Sequence, residues 1–327
     1  MKVLIVGFGA IAKRHYENLL KIKGVQIIIC TKRNNLQIKN NDVEIFSKID
    51  DCLKQNPDVG FITNETSFHV DTAIKLAKQG LDLFIEKPLS DSTSNIKKLR
   101  KIVKEKKIIT QMGCNLRFHH CIKKIRKLII EDKIGKIISI QCENGSYLPD
   151  WHPNEDYKKS YAGKSKFGGG IIFTMIHEID YLYWMFGYPR SVVSISGKFS
   201  NLKISADDYS ASLIEFNKKI IAELHLDFFQ RPQERSCKIK GTKGTITWNS
   251  DQNKVMAYMN KKKKWQVLLH DKNHVRNQMY IDEIKHFFRC VKKREQTLNN
   301  LESGIETMKI ALAIKQSSNK RKFVKIL

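Results

Sequence analysis

Lys2–Ala12, KVLIVGFGAIA, constrains the chain more than any other stretch. Val3, Leu4, Ile5 and Val6 form an unbroken apolar run, the pattern of a strand buried on both faces of a parallel sheet. Gly7-x-Gly9-x-x-Ala12 follows at once, and a helical pattern opens behind it, with Ile11, His15/Tyr16, Leu19 and Ile22 spaced by three and four. Alone, GxGxxG marks any strand-to-helix turn. Between a clean strand and a helix it has the context that dinucleotide binding requires. Gly7 permits the tight turn, and Gly9 lets the backbone approach a pyrophosphate. Ala12 keeps helix and strand close, and the helix start offers free N–H groups and a positive dipole to phosphates.

The first third continues as alternating strands and helices. A second strand at 25–30 ends in Thr31-Lys32-Arg33, where a fold that prefers NAD normally places a carboxylate on the adenosine ribose. A hydroxyl and two cations suit a 2′-phosphate through charge-assisted hydrogen bonds, which favours NADP over NAD; ordinary loop residues of a lysine-rich chain are the alternative. Strands are expected at 43–46, 59–63, 82–85 and 108–113, with helices after 46, at 69–79 and at 92–107. Asn64-Glu65-Thr66 forms the loop at a strand's carboxyl end, where open α/β sheets bind ligands. The fifth strand runs straight into Glu86-Lys87-Pro88. A partly desolvated lysine there would exchange a proton with a substrate hydroxyl; a surface ion pair is the competing reading. Asn115-Leu116-Arg117-Phe118 follows the sixth strand, so a doubly wound unit is complete by about residue 118.

Composition bounds the remainder. With 327 residues and 41% hydrophobic content, the chain has material for two domains. No apolar run approaches the about 20 residues of a membrane span, and a strand that starts at residue 2 leaves no room for a signal peptide. Seven cysteines without a CxxC pair point to free thiols in a cytoplasmic protein, without a zinc site or any other metal centre. The net charge of +26 comes from lysines spread over helix faces, with denser runs at 97–107 and 261–264. That distribution describes a solvated basic surface rather than a nucleic-acid arm, with a weak preference for anionic substrates.

The second half reads as strands at 137–145, 192–199, 209–216, 220–228, 236–240, 245–248, 255–259 and 265–269, with helices near 276–293 and 304–317. GFGAIA after the first strand, EKP after the fifth and NLRF after the sixth resemble the glucose–fructose oxidoreductase / inositol dehydrogenase / MocA family (Gfo/Idh/MocA). Gly168-Gly169-Gly170 leading into IIFTMIHEIDYLYWMFG is similar to the family's glycine-led helix with a histidine and, three residues on, an aspartate. Gly304 followed by ETMKIALAIKQSS is similar to its closing helix.

The resemblance implies an α/β fold: a Rossmann doubly wound parallel sheet over 1–118, then an α/β domain over 119–327 with a large open, mainly antiparallel sheet. The C-terminal helix would pack back on the first domain. It further implies NAD(P)-dependent hydride transfer at a hydroxyl-bearing carbon of a sugar, nucleotide sugar or cyclitol. Gly7, Phe8, Gly9, Ile11 and Ala12 would take the pyrophosphate, and Thr31, Lys32 and Arg33 the adenosine ribose. Asn64, His69, Glu86 and Lys87 would line the nicotinamide half. Lys87 and His177 match the family's catalytic lysine and histidine. The family also contains a glycosidase branch that uses NAD transiently, and Thr174, near the position of the usual aspartate, brings catalytically silent nucleotide sensors into view. Family members associate through the open sheet as dimers or tetramers.

Between 145 and 168 lies a long segment rich in aromatic residues. Long loops in compact domains are usually functional, and flat aromatic faces beside hydrogen-bonding tips suit a sugar ring. Tyr147, Trp151, His152 and Tyr161, with Arg117 and Asp180, are therefore candidate substrate contacts; a lid or a dimer contact is the alternative for the loop. The segment and HEIDYLYW also resemble the family's surface-polysaccharide and sialic-acid-like sugar branch.

Overall fold

The structure, a computed structural model, describes residues 1–33, 38, 43–151 and 156–326. The chain divides into two compact units, 1–114 with 277–305, and 115–276 with 306–327.

The first unit contains six parallel strands: β1 (Lys2–Val6), β2 (Gln26–Cys30), β3 (Glu44–Phe46), β4 (Val59–Ile62), β5 (Asp82–Glu86) and β6 (Thr110–Gly113). Their order is β3-β2-β1-β4-β5-β6. Helices α1 (Ala10–Leu19), α2 (Ile49–Leu53), α3 (His69–Lys78) and α4 (Ile96–Glu105) connect them. The apolar runs of β1, β4 and β5 are buried throughout, as strands covered on both faces must be. Strand order reverses between β1 and β4, so the carboxyl ends of β1, β4 and β5 face one crevice edge, the place where open α/β sheets take ligands.

The sequence sets one boundary at 118, whereas 277–305 returns to the first unit. The physical reason is the stripe on α8 (Gln278–Lys293). Ile284, Phe287, Phe288 and Cys290 join the core around Val3, Ile5, Phe61 and Phe84. Phe61 and Phe84 stack at 4.6 Å, and Phe287 meets the edge of both rings. These aromatic contacts add about 0.5–1.5 kcal/mol per pair beyond the area they bury.

The second unit opens with a 3₁₀ turn at Asn115–Phe118 and α5 (His120–Ile130), a helix the sequence reading leaves out. Then come β7 (Ile137–Gly145), α6 (Ile171–Thr174), α7 (His177–Phe186), β8 (Ser191–Gly197), β9 (Tyr209–Phe216), β10 (Ile220–Asp227), β11 (Glu234–Gly241), β12 (Gly244–Asn249), β13 (Lys254–Met259) and β14 (Lys264–His270). Helix α9 (Leu301–Lys320) and β15 (Val324–Lys325) end the chain. Nine strands form one sheet in the order β14-β13-β12-β11-β7-β10-β9-β8-β15. Every pairing is antiparallel except β7 with β10, so the mainly antiparallel sheet stands as expected. Strict alternation on β9 and β10 buries Ile214, Phe216, Ala222 and Leu224 on one face and leaves Leu213 and Ile221 on the other.

All seven cysteines lie among the described residues, all are buried, and none is in a disulfide. Among the described residues no helix is long and apolar enough to cross a membrane.

Candidate active site

In the first unit the site starts at the glycine turn. Gly7 has φ +88°, and a Cβ there would lie 2.7 Å from the Asn64 backbone; only glycine allows β1 and the loop after β4 to approach so closely. Thr63 Oγ1 donates to the carbonyls of Val6 (2.9 Å) and Gly7 (3.2 Å), pinning the turn. Gly9 behaves differently. It caps α1 in extended geometry with no side-chain cap, and a Cβ there would meet nothing within 4 Å. Open space beside Gly9 therefore leaves the amides of α1's first turn accessible, which suits a dinucleotide pyrophosphate. Phe8 and Ala12 point into the core, with Phe8 against the Tyr16 ring, so what they offer a ligand is main chain. Ile11 is half-buried, as is Thr31 after β2, where the Arg33 N–H donates to Thr31 Oγ1 (3.2 Å). Lys32 and Arg33 are exposed.

At the ends of β4 and β5, His69 ties two loops together. Nδ1 lies 2.8 Å from the Pro88 carbonyl and Nε2 2.9 Å from the Asn64 carbonyl. Burial pushes this imidazole below its ordinary range while the two carbonyls pull the other way, so the neutral ring donates to one of them. Asn64 Nδ2 donates to Thr72 Oγ1 (3.0 Å), and its Oδ1 has no hydrogen-bond partner among the described residues. Glu86 is buried: Oε1 lies 2.7 Å from His15 Nε2, and Oε2 accepts the Lys87 N–H at 3.2 Å. The carboxylate lies over Gly113, where a Cβ would come within 2.8–3.0 Å of it. Lys87 is half-buried.

In the second unit, Thr174 and His177 are not on one uninterrupted helix. Thr174 closes α6, Met175 leaves helical geometry (φ −97°, ψ 37°), and His177 opens α7. A kink at Met175 thus separates the two elements that carry them. Thr174 is buried and His177 half-buried at a helix start. Glu178, the next residue, is fully buried, accepts from Asn144 Nδ2 (3.0 Å) and pairs with Arg235 Nε (2.9 Å). Asn144 lies near the carboxyl end of β7, so His177 and the aromatic loop emerge from the same end of the sheet.

Arg117 and Asp180, each 1% exposed, hold each other: Nε donates to Oδ2 (2.9 Å) and Nη2 to Oδ1 (2.8 Å), with Thr307 Oγ1 a further donor at 3.4 Å. Bidentate geometry of this kind orients elements, here the turn after residue 114 against α7. The guanidinium of Arg231 lies 4.0 Å from the centre of the Tyr147 ring. Trp151 packs on Phe228, and its Nε1 donates to Ser146 Oγ (2.7 Å), so it offers a face and no free tip. Tyr161 is half-buried in a 3₁₀ turn; His152 lies outside the described residues. Sequence reasoning passes over His15, Asn144 and Arg235. His15 has a signal, since it is a polar residue on α1's inward stripe, but Asn144 and Arg235 have none because their partners are remote in the chain.

Fold and site together define a Rossmann dinucleotide-binding unit followed by an α/β unit built on an open sheet. The chain belongs to the Gfo/Idh/MocA oxidoreductase family. The family model for "Oxidoreductase family, NAD-binding Rossmann fold" matches residues 1–114, and that for "Oxidoreductase family, C-terminal alpha/beta domain" matches 126–326. The chain is 26% identical over 215 residues to 2,7-anhydro-N-acetylneuraminate hydratase of Escherichia coli, a match that covers 64% of this chain and 55% of that protein. It is 23% identical over 324 residues to scyllo-inositol 2-dehydrogenase (NAD(+)) of Bacillus subtilis, covering 93% and 92%. In fold it is similar to a levoglucosan dehydrogenase solved in complex with NADH, with a TM-score of 0.89, 17% identity, and 100% and 99% of the two chains covered.

Proposed function

We propose that the protein is an NAD(P)-dependent oxidoreductase acting on a secondary hydroxyl carbon of a sugar, nucleotide sugar or cyclitol. The glycine turn at Gly7 and Gly9, uncrowded at Gly9 and on the same sheet edge as Lys87, carries this reading. The cofactor, when bound, supplies the hydride acceptor or donor. Gly7 and Gly9 with the amides of α1 hold its pyrophosphate, and Asn64 and His69 shape the edge beside it. Lys87 Nζ takes the substrate's hydroxyl proton in oxidation and returns it in reduction. His177 positions or shares that proton, and Thr174 orients the hydroxyl by hydrogen bonding without carrying charge. Tyr147 and Trp151 offer ring faces to the substrate. Arg117 and Asp180 support these elements from within.

Thr31, Lys32 and Arg33 leave the ribose end without a carboxylate, which supports NADP over NAD. Exposed Ile195, Leu213 and Ile221 on the sheet's outer face support a homodimer or homotetramer formed there, in a cytoplasmic protein. A second reading, a dinucleotide sensor without turnover, draws on Thr174 in place of an aspartate.

The test is a screen of NAD+ and NADP+ reduction against inositols, free sugars and nucleotide sugars, with chromogenic glycosides as an arm for hydrolysis. Lys87→Met is expected to lower turnover by about 10²–10⁴-fold with cofactor binding intact. Full activity in that variant removes the role assigned to Lys87, and tight binding without turnover on any substrate favours the sensor.

A further inference from the structure

We propose that His15, neutral and protonated on Nε2, is a positioning residue for Lys87: it holds the Glu86 carboxylate in place, and that carboxylate holds the Lys87 backbone amide. The inference rests on the role assigned above to Lys87 and extends it to His15, which is fully buried on α1.

Four observations carry it. His15 is 0% exposed, and Nε2 lies 2.7 Å from Glu86 Oε1, a short contact in a place with no water to compete. The other ring nitrogen, Nδ1, is buried with no hydrogen-bond partner among the described residues. An unmet lone pair is tolerated there far better than an unmet N–H, so the ring carries its single proton on Nε2 and donates it to the carboxylate. The ring is packed edge-on by Phe61 (5.4 Å), Phe84 (5.0 Å) and Tyr280 (6.3 Å), which holds its plane in place. Finally, the second carboxylate oxygen accepts the Lys87 N–H, and Gly113 on the neighbouring strand supplies the space in which the carboxylate lies.

Each part has a reason for its residue type. A neutral imidazole gives one directional N–H without adding a full charge to an aromatic box. A glutamine could give the same N–H, while an aliphatic side chain would leave a buried carboxylate without its donor. The titratable groups facing the ring are Glu86 from β5 and Tyr280 from α8, the latter with the Arg14 guanidinium 4.6 Å from its centre. The consequence is a lysine whose main chain is fixed at the start of its loop, so that only its side chain moves when a substrate arrives.

The experiment uses the full chain and needs no substrate. Long-range ¹H–¹⁵N spectra of the wild type at neutral pH are expected to show His15 as the Nε2–H tautomer; an imidazolium or the Nδ1–H tautomer overturns the proposal. Acetylation of Lys87 by limiting acetic anhydride, followed by peptide mass spectrometry, then reads the lysine's setting. His15→Leu and Gly113→Ala are expected to change the Lys87 rate several-fold relative to exposed lysines, and His15→Gln to recover the wild-type rate. If His15→Leu does not fold, Gly113→Ala, which displaces the carboxylate without touching His15, gives the same reading. An unchanged Lys87 rate in a folded variant overturns the proposal. Retained turnover in Lys87→Met would instead overturn the functional reading and leave these spectra and rates as they are.

Discussion

Gly7 and Gly9 sit two residues apart in one turn, yet alanine should do opposite things at the two positions. At Gly9 the backbone is extended (φ −88°, ψ −167°), which any L-residue adopts, and the added Cβ has no protein atom within 4 Å. Removing a glycine from the unfolded chain stabilises by about 0.4–1 kcal/mol, and the poorer capping of α1 by alanine offsets a similar amount, so Gly9→Ala should leave Tm near that of the wild type. Its methyl group stands in the open space where a pyrophosphate would meet the amides of α1. Losing one amide hydrogen bond to a charged oxygen costs about 1.5–3 kcal/mol, which weakens NADH or NADPH binding by about ten- to a hundred-fold. At Gly7 the same change imposes φ +88° on an L-residue and drives a Cβ to 2.7 Å from the Asn64 Cα and N. Left-handed strain and backbone overpacking together cost about 2–5 kcal/mol, so this variant loses stability before it loses anything else. Thermal unfolding without ligand and titration of reduced-nicotinamide fluorescence read the two effects separately. Wild-type cofactor affinity in Gly9→Ala would refute the dinucleotide assignment of the turn. An equally large loss of stability in both variants would refute the geometric argument that separates them.

Three further outcomes follow from buried groups. Arg117→Met leaves the Asp180 carboxylate buried without its bidentate partner and should cost about 3–5 kcal/mol in denaturant unfolding, whereas Arg117→Met with Asp180→Leu should recover most of it; equal losses in both would show that packing, not charge, dominates there. Burial, with help from the neighbouring His274, pushes His119 down to about 4 from an ordinary 6.5. Its Nδ1 accepts the Cys121 N–H at 3.1 Å, which only the unprotonated nitrogen can do. As pH falls through 6.5 the unfolded chain takes up the proton first, so this contribution is complete above pH 6.5 and is lost towards pH 4, by about 3 kcal/mol at most. Denaturant midpoints at pH 7.5 and 5 check it, and His119→Asn, which keeps a helix-capping acceptor that does not titrate, should flatten the difference. Thr174→Val removes a hydroxyl at constant shape and should lower kcat by up to about tenfold with little change in KM; an unaltered kcat would take Thr174 out of the reaction.

What the sequence discloses follows the range of the forces involved. β1, the glycine turn and α1 are legible because strand burial, turn geometry and helix periodicity all act within a dozen residues, and the strand positions of the open sheet follow from alternation that is equally local. The kink at Met175 is invisible for the converse reason: α6 and α7 read as one helix by spacing, and their separation is a matter of tertiary placement. The return of α8 to the first unit is half-legible. Its stripe of Ile284, Phe287 and Phe288 announces a buried face, but the partners Phe61 and Phe84 are more than 200 residues earlier in the chain. Arg117 and Asp180 show the limit most clearly. Each stands in a motif that suggests substrate contact, and only the coordinates show that the two side chains hold each other.

The buried acid–base pairs also differ in kind, and the difference bears on function. In Arg117–Asp180 two full charges cancel in a bidentate contact that orients secondary structure and leaves almost no field behind. In His15–Glu86 the donor inferred above is an N–H that carries no full charge, so on that inference it leaves the charge of the carboxylate at the end of β5, one residue from Lys87, uncancelled. A structural core would have no use for that remainder, because burying an uncancelled carboxylate is costly and an apolar pair of the same volume would pack as well. Its retention makes sense where an ammonium must be held at a strand end. Replacing the charge alone, Glu86→Gln, therefore separates the two interpretations. The amide preserves shape but keeps only one of the two acceptors, so a modest loss of about 1–3 kcal/mol in stability is expected from the N–H left facing it, while the Lys87 acetylation rate should shift. If Tm falls sharply and the lysine's reactivity does not move, the carboxylate belongs to the core and not to the site.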